Sequence, residues 1–174
     1  MASFRESVLV STIFTVFGGP GIVLFFFPLW MTGFRVAADQ PLPQTIAGIE
    51  LIVFGLFPLL ESIRRLVVTG RGTLMPIVPT EQLVVNGLYR YVRNPMYVGV
   101  LLALSGEVIL FNRNALIVYA VLVSIAMHCF VYFYEEPTLT RTYPLEYALY
   151  REHVPRWIPR LTPWRAPERL TAEI

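Results

Sequence analysis

The sequence of 174 residues has no lysine, only one cysteine and few charged side chains. The lone Cys129 excludes an intramolecular disulfide and a cysteine cluster for a metal ion. Charged residues make up 15% of the chain, whereas an average soluble domain has about 25%. A net charge of +2 is too small to indicate a nucleic-acid-binding protein. With 55% hydrophobic residues, the composition instead predicts a membrane protein.

Four apolar stretches approach the length of about 20 residues that a membrane-spanning helix needs. They cover about residues 8–30, 45–68, 95–111 and 115–134. The first is longer than the apolar core of a signal peptide, about 7–15 residues, and no small-residue cleavage site follows it. We therefore predict an all-α helical bundle with about four transmembrane helices, followed by a cytoplasmic amphipathic segment. The whole chain, 1–174, is expected to form one domain.

Arginine placement predicts the orientation of these helices. The loop after the second stretch and the C-terminal tail hold most of the arginines, whereas the other two loops hold only Arg35 and Arg113. Positive charge concentrates on the cytoplasmic side of membrane proteins. We expect a multi-pass protein of a bacterial inner membrane, with both termini in the cytoplasm. The short turn at 112–114 makes the third and fourth helices an antiparallel hairpin.

A first polar block, residues 79–99, leads into the third helix. Asn94 suits the N-cap position of that helix and Pro95 suits its first turn. The free backbone N–H groups of a helix start attract anions, and Arg93 stands beside them. The alternative interpretation is a belt of tyrosine and arginine at the membrane surface, which is common in membrane proteins.

A second polar block, residues 134–160, follows the fourth helix. Glu135 and Glu136 fall at the expected end of that helix, where carboxylates oppose the helix dipole. This placement favours a pair that holds a cation or a hydroxyl group, although solvated charge is the simpler alternative. Five residues then recur at helical spacing and predict an amphipathic helix that restarts at Pro144: Leu139, Tyr143, Tyr147, Tyr150 and Val154.

The hairpin brings both blocks to the same face of the membrane. Arg93, Asn94 and Tyr97 should therefore lie near Glu135 and Glu136. Such a pocket has an anion-binding end, a carboxylate end and aromatic walls. It suits a ligand with a carboxylate, an ammonium group, a ribose and an adenine, and tyrosine faces attract a sulfonium.

The two blocks also resemble the two signatures of the isoprenylcysteine carboxyl methyltransferase family. "GLYRYVRNPMYVG" is similar to the first signature and "EEPTLTRTYPLEYALYREHVPRWIPR" to the second, over about residues 81–160. The resemblance implies S-adenosylmethionine as methyl donor and a lipophilic acceptor that enters from the bilayer. Its implied cofactor contacts are Glu81, Gln82, Leu83, Val84, Tyr89, Asn94, Pro95, Met96, Tyr97 and Glu135. We add Arg93 and Glu136 as catalytic candidates from the residue argument.

Two positions depart from the family pattern. Asn94 stands where the family has a histidine, which keeps hydrogen bonding but excludes a proton shuttle there. Val131 stands where eukaryotic members place an arginine for the carboxylate of the substrate. The acceptor is therefore open among an isoprenyl-type carboxylate, a phospholipid amine and a small thiol. A carboxylate needs no general base, whereas an amine or a thiol does.

Other functions are weaker alternatives. A membrane reductase that uses NADPH shares the fold by analogy, but a glycine-rich turn for the pyrophosphate is missing. A channel, carrier or assembly subunit would carry polar groups deep in the bilayer or repeated halves. We expect no metal ion, because His128 and His153 lack ligand spacing, and we expect His128 to be a buried core residue. Glu107 is expected to reach Arg113.

Overall fold

The computed structural model describes residues 19–36, 40–68 and 82–165. These residues are helical or irregular, and no strand occurs among them. A short 3-10 turn, Gly87–Arg90, precedes the third helix. The helices, in chain order, are α1 (Gly19–Thr32), α2 (Leu42–Val68), α3 (Pro95–Phe111), α4 (Asn114–Thr142) and α5 (Pro144–His153).

Two of these helices, α2 and α4, are long and apolar enough to cross a membrane, with 27 and 29 residues. Helix α3 has the predicted bounds, but it is shorter, as is the described part of α1. Residues 8–18 of the first predicted span lie outside the described part of the chain. The all-α class is confirmed, whereas the count of four spans stays a prediction.

The predicted end of the fourth helix was wrong. We expected it to stop at residue 134, but α4 continues to Thr142. A π-helical turn, Val131–Glu135, precedes Pro137 and widens the helix there. Proline has no N–H group and cannot make the usual hydrogen bond to the preceding turn. A widened turn accommodates this missing bond, so the chain stays helical. Glu135 and Glu136 therefore lie inside a continuous helix, and the argument from a helix C-terminus does not apply to them.

Among the described helices, α2 and α3 form the closest pair, and four glycines make their contact. A Cβ atom on Gly99 would lie 2.6 Å from the Gly55 carbonyl oxygen, and one on Gly106 would lie 2.7 Å from the Gly48 carbonyl oxygen. Such distances leave no room for a side chain, so the two backbones touch. Small residues are the usual means by which membrane helices approach each other closely. We call Gly48, Gly55, Gly99 and Gly106 the glycine seam.

The hairpin between α3 and α4 is confirmed. Asn112 ends α3 in the left-handed conformation (φ 48°), and α4 begins two residues later. The start of α3 and the second half of α4 consequently lie at the same end of the fold. Large apolar side chains are exposed along α2 and α4, as in lipid-facing helices.

The last described segment, residues 154–165, folds back over the start of α3, and we call it the C-terminal strap. Backbone hydrogen bonds join it to the loop before α3: the Arg93 N–H donates to the Pro155 carbonyl at 2.9 Å, and the Arg160 N–H donates to the Tyr91 carbonyl at 3.0 Å. Trp164 and Arg90 exchange two further bonds. The strap thereby closes the polar end of the fold. A small core lies beneath it: Val85, Tyr147, Tyr150, Val154 and Trp164.

Candidate functional site

A pocket of about 600 Å³, including the part open to the outside, lies between the start of α3, the second half of α4 and α5. Its lining combines two carboxylates, one guanidinium, one amide, four tyrosines and several apolar side chains. The lining residues are Leu66, Leu83, Val84, Tyr89, Arg93, Asn94, Met96, Tyr97, Glu135, Glu136, Leu139, Tyr147 and Tyr150.

One carboxylate of the pocket, Glu136, is held by two arginines. The Arg156 guanidinium donates two hydrogen bonds to its oxygens, at 2.7 and 2.8 Å, and Arg93 Nη1 lies 3.2 Å from Oε1. The side chains of Arg93 and Glu136 are each only 9% exposed, and that of Arg156 is 25% exposed. The hydrogen bond to Glu136 raises the pKa of Arg156. This cluster of two cations and one anion links the strap to α4 and carries an excess positive charge.

The other carboxylate, Glu135, is oriented by a tyrosine. The hydroxyl of Tyr97 donates to Glu135 Oε2 at 3.0 Å, from the first turn of α3 across to α4. The π-helical turn places Glu135 beside Glu136 on the pocket lining. Turns of this kind occur frequently at functional sites. Glu135 therefore remains available to a ligand, whereas Glu136 is already paired.

Asn94 occupies the predicted N-cap position, but its side chain does not cap the helix. Its amide instead donates to the Arg156 carbonyl of the strap at 3.1 Å. The predicted N-cap position is therefore correct, but the Asn94 side chain binds the strap and makes no capping hydrogen bond. The backbone N–H groups of the first turn of α3 have no acceptor within the helix, and Pro95 has no N–H group.

Three tyrosines stay protonated in the pocket wall. Burial raises the pKa of Tyr89 and of Tyr150 well above the ordinary value. Burial, followed by the nearby Glu136, raises the pKa of Tyr147 to about 12. Tyr150 donates to the Tyr89 carbonyl at 2.6 Å, and the Tyr147 oxygen accepts from Arg93 at 3.4 Å. At neutral pH these residues are neutral hydrogen-bonding groups on the pocket lining, and none of them is a base.

Arg93 carries an unused donor. Its Nε is buried and has no hydrogen-bond partner in the described part of the chain. A buried donor without a partner destabilises the fold by about 1–3 kcal/mol. A ligand carboxylate in the pocket would accept a hydrogen bond from Arg93 Nε. The unused donor therefore fits a cofactor that carries an amino-acid group.

Most of the residues singled out from the sequence come together. Arg93, Asn94 and Tyr97 meet Glu135 and Glu136, as predicted. Gln82 and Pro95 do not line the pocket, and Glu81 lies outside the described residues. The remaining predicted contacts that line the pocket are Leu83, Val84, Tyr89 and Met96.

Sequence reasoning missed two residues. Leu66, near the end of α2, lines the pocket, and Arg156 binds Glu136. No motif marks Leu66. The only signal for Arg156 was its position after Val154-Pro155, since a basic residue in a fixed turn is a candidate partner for the glutamate pair.

Two further expectations were wrong. His128 is exposed on α4 rather than buried, and its ring contacts Trp157 of the strap. Glu107 is buried, and no ion pair joins it to Arg113 among the described residues. Its Oε2 has no hydrogen-bond partner there. Glu107 lies inside the helical bundle, and its side chain does not pair with Arg113 of the turn between α3 and α4.

A profile of the family described as phospholipid methyltransferase matches residues 43–146, more than half of the chain. The chain belongs to the phospholipid methyltransferase family. Proteins of the isoprenylcysteine methyltransferase type are in the same family of integral membrane methyltransferases, so the resemblance found in the sequence is confirmed. Neither a curated protein nor a solved structure matches the chain. The matched region of this membrane methyltransferase contains α3, α4 and most of the pocket lining.

Proposed function

We propose that the protein transfers a methyl group from S-adenosylmethionine to a lipophilic acceptor taken from the bilayer. The observation that carries the proposal is the make-up of one pocket. A buried arginine with an unused donor, a carboxylate oriented by a tyrosine, and tyrosine faces all line it. Membership of a membrane methyltransferase family agrees with this assignment.

Each part of the pocket matches one part of the cofactor. Arg93 Nε and the start of α3 would hold the carboxylate, because both present unpaired N–H donors. Glu135 would accept from a hydroxyl or ammonium group, and Tyr97 fixes its orientation. The faces of Tyr89, Tyr147 and Tyr150 favour a positively charged sulfonium. When bound, the cofactor supplies an electrophilic methyl group, and a neutral thioether is its leaving group.

The remaining predicted cofactor contacts have smaller parts in this proposal. Leu83, Val84 and Met96 would pack against the adenosine, and Asn94 would act by holding the strap in place. Glu81, Gln82 and Pro95 stay predictions. The apolar lining keeps water from the reacting groups, which strengthens the electrostatic contacts inside the pocket.

The acceptor chemistry follows from the state of the two carboxylates. Glu136 accepts three close contacts from arginine, so it is poorly suited to take a proton, and we assign it a positioning role. This arrangement favours an acceptor that needs no general base, and a carboxylate of an isoprenyl-type lipid is one. A phospholipid amine or a small thiol is the alternative, with Glu135 as its base.

We also infer a multi-pass protein with the pocket on the cytoplasmic side. Arginines cluster at the pocket end of the fold, in the sequence between α2 and α3 and after α4. Positive residues in such loops face the cytoplasm. The single-domain organisation over residues 1–174 belongs to the same proposal.

Calorimetric binding to the detergent-purified protein tests the cofactor. We expect S-adenosylmethionine and S-adenosylhomocysteine to bind and NADPH not to bind. Glu135→Gln should weaken both about tenfold or more, because a charged hydrogen-bond acceptor is lost. Glu152→Gln, an exposed carboxylate on α5, is the matched control and should bind as the native protein does. Binding of NADPH alone would replace the transferase by a reductase.

A further inference from the structure

A second group of polar and aromatic side chains lies beside the pocket but is not part of its lining. His128 of α4 has two aromatic rings as neighbours. It stacks on Tyr132 at 6.4 Å and on Trp157 of the strap at 5.9 Å between ring centroids. Trp157 also meets the edge of Tyr97, which lines the pocket. His128 is thus one aromatic ring away from the cofactor site.

The contact with Trp157 indicates which ring nitrogen of His128 carries a proton. The indole Nε1–H of Trp157 donates to His128 Nδ1 at 3.2 Å. Indole is a donor only, so Nδ1 must present a lone pair, and the ring proton must sit on Nε2. The contact therefore favours the tautomer that carries Nε2–H. No further hydrogen bond to His128 occurs among the described residues, and this N–H is an available donor.

The surroundings of His128 are apolar on one side and cationic on the other. Its neighbours along α4, Val121, Leu122 and Ile125, are exposed as lipid-facing residues are. A polar ring on such a face is unfavourable unless it binds something, and polar residues in membrane helices are usually functional. Arg156 lies over the ring of Tyr132, with its guanidinium carbon 5.4 Å from the centroid. Two of its nitrogens bind Glu136, and Nη1 makes no hydrogen bond in the described part of the chain.

We propose that His128 Nε2–H and Arg156 Nη1 bind the anionic headgroup of the lipophilic acceptor, so that they select a carboxylate or phosphate headgroup over a neutral or cationic one. The proposal rests on the methyltransferase function proposed above. Arg156 Nη1 is the donor of the Arg93–Glu136–Arg156 cluster that is left for an anion at this place. The apolar face of α4 next to it suits a hydrocarbon chain. Val131 is fully buried, so it takes no part in the headgroup contact.

A competition experiment tests the headgroup preference. Tritiated octadecenoic acid would be bound to the full-length protein in phosphatidylcholine nanodiscs and displaced by four probes of the same chain length. The probes are octadecenoic acid, the corresponding lysophosphatidic acid, octadecenol and octadecenylamine. We expect both anionic probes to compete at concentrations about tenfold or more below those of the alcohol and the amine, because a hydrogen bond to a charged group is lost in the latter two. The anionic probe that competes at the lower concentration then indicates whether the headgroup is a carboxylate or a phosphate.

Two variants of one residue separate recognition from folding. His128→Phe keeps the aromatic stack but loses the donor, and should reduce the anion preference to less than threefold. His128→Gln keeps a donor and an acceptor, and should retain most of it. Nitrogen-15 chemical shifts of the His128 ring should report Nε2–H in the native protein. Equal competition by the alcohol or the amine, an unchanged preference in His128→Phe, or a proton on Nδ1 would overturn the proposal.

Cofactor binding keeps the two proposals apart. S-adenosylhomocysteine should bind His128→Phe as tightly as the native protein, which also shows that the variant is folded. If the native protein prefers anionic probes but does not bind S-adenosylhomocysteine, the methyltransferase proposal fails while the headgroup site stands. If it binds the cofactor but shows no preference for anions, only the headgroup proposal fails.

Discussion

The glycine seam joins α2 to α3, and the polar pocket joins the start of α3 to α4 and α5. The two regions share α3, yet they are held together in opposite ways. In the seam, backbone meets backbone, and the nearest atoms to the four glycines belong to the backbone or to apolar side chains. At the pocket, the elements are joined by the Glu136 cluster, by the Tyr97–Glu135 hydrogen bond and by the strap. The close backbone contact with α2 holds α3 in position, and thereby holds the start of α3 at the pocket. The polar end, in contrast, keeps donors and acceptors for a ligand.

The largest expected effect comes from breaking the polar end at its centre. Glu136→Gln removes the anion between Arg93 and Arg156 and leaves a buried guanidinium without a counter-charge. Loss of one partner of a buried ion pair destabilises a protein by about 3–5 kcal/mol. We expect a marked fall in thermal stability and loss of S-adenosylhomocysteine binding, measured by thermal unfolding in detergent and by calorimetry.

An exposed ion pair provides the control for this variant. Arg64 pairs with Glu61 at 2.8 Å, but its side chain is 57% exposed. Exposed pairs contribute little to stability. Arg64→Gln should therefore leave the melting temperature and cofactor binding unchanged. A similar loss in both variants would show that the burial of Glu136 does not matter.

The second effect comes from the seam. A Cβ atom on Gly55 would lie 2.6 Å from the Gly99 carbonyl oxygen, so Gly55→Ala must push α2 and α3 apart. Overpacking of this kind destabilises by about 1–3 kcal/mol. Because the seam holds no ligand group, we expect lower thermal stability while the folded fraction keeps its affinity for S-adenosylhomocysteine. Val53→Ala, on the exposed face of the same helix, should change neither quantity.

The sequence predicted the polar pocket but not how α2 and α3 are held together. The helix bounds 95–111 and the meeting of Arg93 with the two glutamates followed from capping residues and a short turn. The seam was missed, although Gly48 and Gly55, like Gly99 and Gly106, are seven residues apart and mark one helix face.

Features that depend on contacts far apart in the chain were beyond local rules. The fourth helix was expected to end at residue 134, because the π-helical turn that continues it has no sequence signature here. The side-chain contacts of Asn94 and His128 both depend on the strap, which lies about 30 to 60 residues away in the sequence.

A smaller effect is expected from the orientation of Glu135. Tyr97→Phe removes one hydroxyl, which donates to Glu135 Oε2 at 3.0 Å, and leaves the ring in place. Affinity for S-adenosylhomocysteine should fall about tenfold, in line with one hydrogen bond to a charged group. Tyr119→Phe is the matched control at the other end of the fold, where the hydroxyl donates to the Val23 carbonyl. If calorimetry finds equal affinities for the two variants, the carboxylate does not contact the cofactor.

The smallest effect concerns pH. The pKa of Tyr147 is raised to about 12, and those of Tyr89 and Tyr150 are raised as well. The folded state therefore holds these protons more tightly than the unfolded state, whose tyrosines have a pKa of about 10. Stability from this source is complete below about pH 10 and is lost as the pH rises toward 12. Melting temperatures should show no tyrosine-dependent change between pH 7 and 9.5, and a decline that begins in that range would contradict the assignment.

Hydrogen–deuterium exchange with and without S-adenosylhomocysteine tests the central claim most directly, because it reads the seam and the pocket in one experiment. The account predicts slower exchange in residues 82–97 and 135–156 on ligand binding, with little change around Gly48 and Gly55 in the first half of α2. Protection that is absent, or that appears at the seam while the polar end is unchanged, would contradict the assignment of the pocket as the cofactor site.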